Sequence, residues 1–553
     1  MRPFSGTNPF KPVRRLFAIG ILAAWVSIPS AYPQGTSLPP HLKKQGAATQ
    51  LIVHEKPFLM LGGELGNSTA SDAKYMEAVW PKLKAMRLNT VLMPVYWELI
   101  EPREGTFDFT LVDSLLASAR KNDVKVVVLW FGSWKNSMSC YAPEWIKSNQ
   151  QRFPRSRTSD GRPIEILTPF SDENKNADMK AFAAFMKNLR AFDGEKHTVV
   201  MVQVENEIGM IPEAKDYCAE AAKAFARRVP TELMTYLEKN KASLTGELQQ
   251  AWRGTGMPTS GTWEEVFGKG PLTDEIFMAW HFARYTNDVA QAGKKEYPLP
   301  MFVNAALIRP NYKPGQYPSA GPLPHLMDVW KAAAPQIDFL APDIYFNNFA
   351  EWVGKFDRGG NPIFVPEVDR NQSVTNAFYA IARHNAMGYN PFSIESVDDP
   401  ANSQFAKGYD ILHQLTPLIL EHQGKGSIAG FLLDSAAQTA EIQLGNYTFL
   451  VKHEHTWPYA PRIPGDTPRF GGMIIMTGND EFYIAGSGVV VTFHATSKDG
   501  TIAGIASMHE GGFVEGKWVA GRRMNGDQNH QGRHLHLPGG EYGIQKVRLY
   551  TYK

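Results

Sequence analysis

Cysteine is nearly absent: Cys140 and Cys218 are the two in a chain of 553 residues. A disulfide-built scaffold is excluded, since at most one bridge can form. No block of Lys or Arg stands out beyond the N-terminus, and the formal net charge is +2. The electrostatic footprint of a nucleic-acid binder is therefore missing. After the first thirty residues no stretch is long and apolar enough to span a bilayer. No G-x-G-x-x-G or G-x-x-x-x-G-K follows the first predicted strand, and neither H-E-x-x-H nor G-x-S-x-G occurs. Nothing thus signals nucleotide binding, a zinc peptidase or a serine hydrolase. Among the 15 histidines, His453 and His455 form no more than an H-x-H, which reads as solvated strand. No metal and no cofactor are expected.

What is present begins with an export signal. Arg2, Lys11, Arg14 and Arg15 precede the apolar run Leu16–Ile28, and small residues follow at Ser30 and Ala31. This pattern assigns residues 1–31 to a signal peptide and the mature protein to the periplasm or the secreted fraction, free of the membrane after cleavage. The composition, 43% hydrophobic and 20% charged, is that of a globular protein with a large core. Thirteen Trp and twenty Tyr suit a protein that stacks rings on sugar faces, although aromatic residues also fill cores.

From about residue 45 to 427, short β-branched runs alternate with amphipathic helical segments, the pattern of parallel βα units. Eight strands are predicted: Phe58–Leu61, Thr90–Tyr96, Val124–Leu129, Thr198–Val204, Met301–Ala305, Ile337–Ala341, Ile363–Pro366 and Pro391–Ile394. Eight in this order favour a closed (β/α)8 TIM barrel, with a helical insertion at about 212–295. Beyond 428 helical periodicity fades into short alternating runs separated by Gly, Asn and Asp. Residues 428–553 read as a C-terminal β-sandwich domain.

Two segments carry chemistry. In VQVENEIG (202–209) an apolar strand ends in Glu205-Asn206-Glu207, and in PIFVPEVD (362–369) Glu367 ends the seventh strand. Catalytic groups of such barrels sit at the C-terminal strand ends. Strands four and seven face each other across the mouth, so Glu207 and Glu367 can flank a glycosidic bond as the paired carboxylates of a retaining glycosidase. Strict alternation would send Asn206 opposite to its neighbours unless a bulge re-aims it. Glu64 in GGELGN is a candidate sugar ligand, its glycines suggesting close backbone approach beneath a ligand. Tyr96, Trp97, Trp130, Trp134 and Tyr345 sit at strand ends, where sugar stacking competes with core packing. Asp343 and Glu395 end strands six and eight, and Glu101 is either a site residue or a partner for Arg103 or a loop amide.

VQVENEIG and FVPEV resemble the signature segments of clan-A glycoside hydrolases, most closely family 35. The stretch NTVLMPVYWELIEPREGTFDF (89–109) is similar to that family's strand-two segment. The resemblance covers most of residues 55–410. It implies Glu207 as acid/base, Glu367 as nucleophile, Asn206 on the sugar 2-hydroxyl and Glu205 on the glycone. The chain departs from the family at Pro94, at Glu98–Pro102, around Phe131–Trp134 and at Ile208, which puts the glycone contacts apart from the family's. The expected activity is exo-hydrolysis of terminal β-galactosyl residues from an oligosaccharide or polysaccharide such as a xyloglucan fragment. Another retaining clan-A activity (β-glucosidase, α-L-arabinopyranosidase, transglycosidase) and a non-catalytic sugar-binding barrel are the alternatives. Cys140 and Cys218, both in loops expected on one barrel face, are candidates for a single bridge. Trp518 and Tyr542 are read as packing against the barrel rather than binding polysaccharide. The sequence carries no sign of an oligomeric state.

Overall fold

The structure is a computed structural model that describes residues 38–434, 437–454 and 470–553. The expected signal peptide and His455 lie outside the described residues. Eight parallel strands close a barrel: β1 (Met60–Glu64), β2 (Thr90–Tyr96), β3 (Lys125–Lys135), β4 (Val199–Asn206), β5 (Met301–Ala306), β6 (Phe339–Ile344), β7 (Val365–Val368) and β8 (Gly388–Pro391). They lie in sequence order around the barrel, with β8 pairing back to β1. The strands are rich in Val, Met, Leu and Phe because side chains on both faces are buried, one set in the barrel and one under the helices.

Two strands differ from expectation in ways that matter for the site. β3 was expected to stop at Leu129 but runs on to Lys135. Gly132 permits this, since a Cβ there would stand 2.3 Å from Trp130 Nε1 and 2.7 Å from Glu205 Oε1. β8 lies three residues earlier than expected. Ser393 turns left-handed (φ 51°) and Ile394–Ser396 forms a 3-10 turn, which ends the strand.

The helical insertion after β4 contains Ala219–Phe225, Thr231–Lys239, Gly246–Gly254 and Trp263–Phe267, and it leads into the long helix Pro271–Glu296. A three-stranded antiparallel meander over residues 41–58 precedes β1. His54 at its tip stacks on His197, just before β4, at the N-terminal end of the barrel. No described helix is long and apolar enough to cross a membrane.

The C-terminal domain is two antiparallel sheets: β9 (Ile428–Leu433), β12 (Phe470–Gly478), β13 (Glu481–Ser487), β18 (Gly543–Tyr552), β15 (Ile502–Val514) and β16 (Lys517–Arg523) in one; β10 (Thr439–Leu444), β11 (Tyr447–His453), β14 (Val489–Ala495) and β17 (His534–Leu537) in the other. Alternation along β12 and β13 explains how one sheet serves two cores. Ile474, Phe482 and Ile484 point between the sheets, while Met473, Ile475, Tyr483 and Ala485 join the barrel's core. Trp518 and Tyr542 pack on that same side, with Tyr542 stacked on Phe378 at 5.8 Å.

Candidate active site

A cavity of about 530 Å³ opens at the C-terminal ends of the strands. Lys135, Glu207, Asp343, Tyr345 and Glu367 line it. A second cavity of about 500 Å³ lies outside the barrel wall, between the 70–74 segment, β2 and the helix Thr110–Lys121. It holds no set of facing carboxylates, so the chemistry belongs to the first.

Glu207 follows β4 at 5% exposure, and Glu367 lies within β7 at 4%. Each has a neutral hydrogen-bonding partner. Asn136 Nδ2 donates to Glu207 Oε2, and the Tyr345 hydroxyl donates to Glu367 Oε1. The Glu207 backbone N–H donates to Asn304 Oδ1 (2.9 Å), and Asn304 Nδ2 donates to Asp343 Oδ2 (2.7 Å). β5 thus ties the acid turn to β6, whose Asp343 lies in register with Glu367 of β7. Burial, and then the charge of Glu367, push the Glu207 carboxyl up to about 7, against the pull of Lys135 and the bond from Asn136. Burial, then Glu367, raise Glu64 and Asp343 well above the usual carboxyl range. Burial and the adjacent Glu367 also raise the Tyr345 phenol, so it stays a donor at any physiological pH.

The turn that carries Glu207 is strained and gripped. Glu205 and Glu207 have positive φ (62° and 44°), uncommon for side chains that carry a Cβ. Opposite them the end of β3 makes a two-residue hairpin. Lys135 and Met138 exchange backbone hydrogen bonds at 2.8 and 3.0 Å, and Asn136 and Ser137 both have positive φ (49° and 70°). The hairpin's N–H groups at Asn136 and Ser137 donate to the carbonyls of Asn206 (3.2 Å) and Glu207 (3.1 Å).

Several expected ligands stand elsewhere. Glu205 does not face the glycone. Its Oε2 accepts from the Trp134 N–H (2.7 Å), and its carboxyl lies beside Asp178 of the helix Asp172–Asp193, outside the barrel. Trp130 and Trp134 are fully buried in that same wall. Trp130 Nε1 donates to Asp178 Oδ1 (3.0 Å) among Phe182 and Phe185, and Trp134 Nε1 donates to the Leu167 carbonyl (3.1 Å) against Phe282 and Tyr285. Large rings on these strand positions fill the layer between strand and helix. Tyr96 borders the second cavity and packs on Phe131 and Tyr141. Tyr345, 42% exposed, is the expected aromatic that does reach the carboxylates.

Glu64 is fully buried with both carboxylate oxygens unpartnered among the described residues, and Asn206 likewise keeps both amide atoms unpartnered. The glycines beside Glu64 make room for β8 and the turn after it rather than for a ligand: a Cβ on Gly62 would meet Asn390 Oδ1 at 2.1 Å, and one on Gly63 would meet Ile394 at 2.7 Å. Glu395 accepts from Gly66 N (3.0 Å) and Thr69 Oγ1 (2.5 Å) and braces the loop after β1. Glu101 accepts from Trp97 Nε1 (3.0 Å) and the Gly105 N–H (2.7 Å), the loop-amide role. The two cysteines are unpaired: Cys140 is exposed, and Cys218 is buried as the N-cap of Ala219–Phe225, accepting from Ala221 N at 3.4 Å. Lys135, Asn136 and Asn304 were not foreseen. The signal for Asn304 was a lone amide inside the apolar run MFVNAA; Lys135 and Asn136 lay past a strand end placed too early.

A closed (β/α)8 barrel whose mouth holds facing carboxylates on the fourth and seventh strands is the scaffold of a clan-A glycoside hydrolase. The chain belongs to glycoside hydrolase family 42, described as beta-galactosidase, whose profile matches residues 69–347. Residues 405–536 match a separate family described as a domain of unknown function, DUF5597. A beta-galactosidase of Xanthomonas manihotis is 27% identical over 216 residues, 38% of this chain and 33% of that protein. The chain thus spans about a third of the length of this curated relative. Among solved structures, the beta-galactosidase from Rahnella sp. R3 is similar with a TM-score of 0.45 and 16% identity, covering 66% of this chain and 57% of that one. The beta-galactosidase from Bacillus circulans sp. alkalophilus has a TM-score of 0.45 and 15% identity, with the same coverage. The catalytic domain of a beta-amylase from Paenibacillus polymyxa has a TM-score of 0.44 and 12% identity, covering 62% and 93%.

Proposed function

We propose that the protein is a retaining exo-glycoside hydrolase that releases terminal β-galactosyl residues, from plant-wall oligosaccharides such as xyloglucan fragments, outside the cytoplasm. The observation that carries this reading is the pair Glu207 and Glu367 in one cavity, each held by its own neutral donor. The family-42 match supports the galactoside. The profile names family 42 where the sequence resemblance points to family 35, and the xyloglucan substrate rests on that family-35 resemblance together with the β-rich C-terminal part of the chain.

Glu207, half-protonated near pH 7, donates its proton to the leaving oxygen. Glu367 attacks the anomeric carbon, while Tyr345 orients its carboxylate. Glu207, now ionised, takes a proton from water, which attacks the glycosyl-enzyme and releases the sugar. Positive charge developing at the anomeric carbon is met by the attacking carboxylate of Glu367.

The test is the configuration of the first product. Proton NMR of an aryl β-galactoside digest should show β-galactose before mutarotation. An initial α-anomer overturns the retaining mechanism. Absence of turnover on every aryl β-glycoside overturns the hydrolase reading.

A further inference from the structure

Four carboxylates share the cavity region with one ammonium. Glu64 from β1, Glu207 after β4, Asp343 from β6 and Glu367 from β7 all act on the charge of Lys135. Burial opposes that charge, yet the four together hold the lysine above its ordinary value, so it is an ammonium at neutral pH. Its side chain is buried and lines the cavity. Nevertheless Nζ makes no ion pair and no hydrogen bond among the described residues. Nζ lies over the face of Phe131, 5.3 Å from the ring centroid.

An ammonium has three donors, and Nζ is not among the buried unpartnered atoms, so its donors open to the cavity and to whatever fills it. A lysine kept for stability would close onto a carboxylate. Here four stand near, and none is engaged. The backbone beneath it is held, because Lys135 opens the hairpin that grips Asn206 and Glu207. The complementary acceptors are also idle. Both oxygens of Glu64, Asp343 Oδ1 and Glu367 Oε2 are buried without a partner among the described residues.

We propose that Lys135 is a specificity-determining residue whose ammonium donates to a ring hydroxyl of a neutral glycone bound among these carboxylates. The inference rests on the glycoside hydrolase reading above. A hydroxyl accepts from the ammonium and donates to a carboxylate at once, so it satisfies both kinds of idle group. A carboxylate or sulfate on the glycone would satisfy Lys135 alone and face four acids. A glycone lacking that hydroxyl leaves the ammonium unmet, and sites built this way reject such analogues strongly.

The experiment compares kcat/KM for an aryl β-galactoside with its 3-, 4- and 6-deoxy analogues, in the wild type and in Lys135→Met. The wild type should lose about 10- to 100-fold on the analogue missing the contacted hydroxyl. Lys135→Met should treat that analogue and the parent within about threefold, while still discriminating at the other positions. Each comparison is a ratio within one enzyme, so a partly folded variant does not blur it. Should Lys135→Met turn over too slowly, galactose and the three deoxygalactoses are titrated into it by calorimetry, and the same loss of discrimination is expected. Unchanged ratios at all three positions in an active or binding-competent variant overturn the role of Lys135 alone. A wild type inert toward all aryl β-glycosides overturns the hydrolase reading instead.

Discussion

Glu205 and Glu207 stand two residues apart at the end of one strand, and they live in different environments. Glu207 enters the cavity, where Lys135, Asp343 and Glu367 act on it and several neighbouring polar atoms have no partner. Glu205 enters the wall, where Trp134 N, Asp178, Ser133 and Tyr285 form a network around it: Ser133 Oγ donates to Asp178 Oδ2 (2.6 Å) and lies 2.7 Å from the Tyr285 hydroxyl. Two carboxyls side by side can hydrogen-bond only if a proton lies between them, and burial followed by the charge of Asp178 raises Glu205 well above the usual range. Both sites contain buried acids with raised values. What separates them is access to open space. The wall also keeps one unpartnered oxygen, Glu205 Oε1, but it is packed among Trp134 and the helix Asp172–Asp193, whereas Asp343 and Glu367, each with an unpartnered oxygen, line a cavity of about 530 Å³, which marks the second as the place where chemistry happens.

The largest effect should come from the cavity's far side. Glu367→Ala should lower turnover by roughly 10,000-fold or more on every substrate, because no glycosyl-enzyme can form. Steady-state kinetics with good and poor leaving groups checks this; residual activity that varies with leaving group would return Glu367 to a supporting role.

The acid/base comparison is sharper. Glu207→Ala should fall by about 100- to 10,000-fold on a natural disaccharide. It should fall far less in the first step on an activated aryl galactoside, which needs little protonation. Azide, which needs no base, should rescue Glu207→Ala and give a β-galactosyl azide. Glu205→Ala, on the other face, should show no rescue. The reverse pattern would exchange the two residues' roles.

The pH profile separates the faces without deleting a side chain. Glu207 must be protonated to act as acid, so kcat/KM should fall as pH rises through about 7. Glu205→Gln should leave that limb in place. A limb displaced by a full unit in Glu205→Gln would mean that the wall acid titrates with the cavity.

The smallest effect concerns stability. A carboxyl raised in the folded state stabilises fully below its ordinary value of 4.5 and loses that contribution as pH rises through its raised value. The wild type should therefore melt lower at pH 8 than at pH 5 by an increment that Glu205→Gln lacks. Asp178→Ala, which strands Ser133, Trp130 and the Glu205 carboxyl, should cost about 1–3 kcal/mol with KM nearly unchanged. Thermal melts at the two pH values, paired with kinetics, measure both. A variant as stable as wild type would show that the network is dispensable.

The reach of the sequence was uneven for identifiable reasons. Period and length placed the strands, because β-branched apolar runs of four to eight residues between helical segments admit few other readings. The gripping hairpin was missed because Gly132 and Ser133 look like a loop; in the structure Gly132 is the one residue type that lets Trp130 and Glu205 pass. For Trp130 and Trp134 the place at a strand end left sugar stacking and core packing open, because that rule is blind to which face a side chain takes.

The sequence by itself determined the barrel's βα order, the β-rich character of the C-terminal domain, and the presence of acids where strands four and seven end. Those follow from local periodicity and chain order. Only the tertiary structure decided that Glu207 turns inward and Glu205 outward, that Lys135 joins the acids from a strand longer than its apolar run, and that Tyr345 reaches Glu367. These outcomes depend on backbone turns with positive φ and on contacts between strands far apart in the chain, where a rotation of one residue moves a carboxyl from wall to cavity.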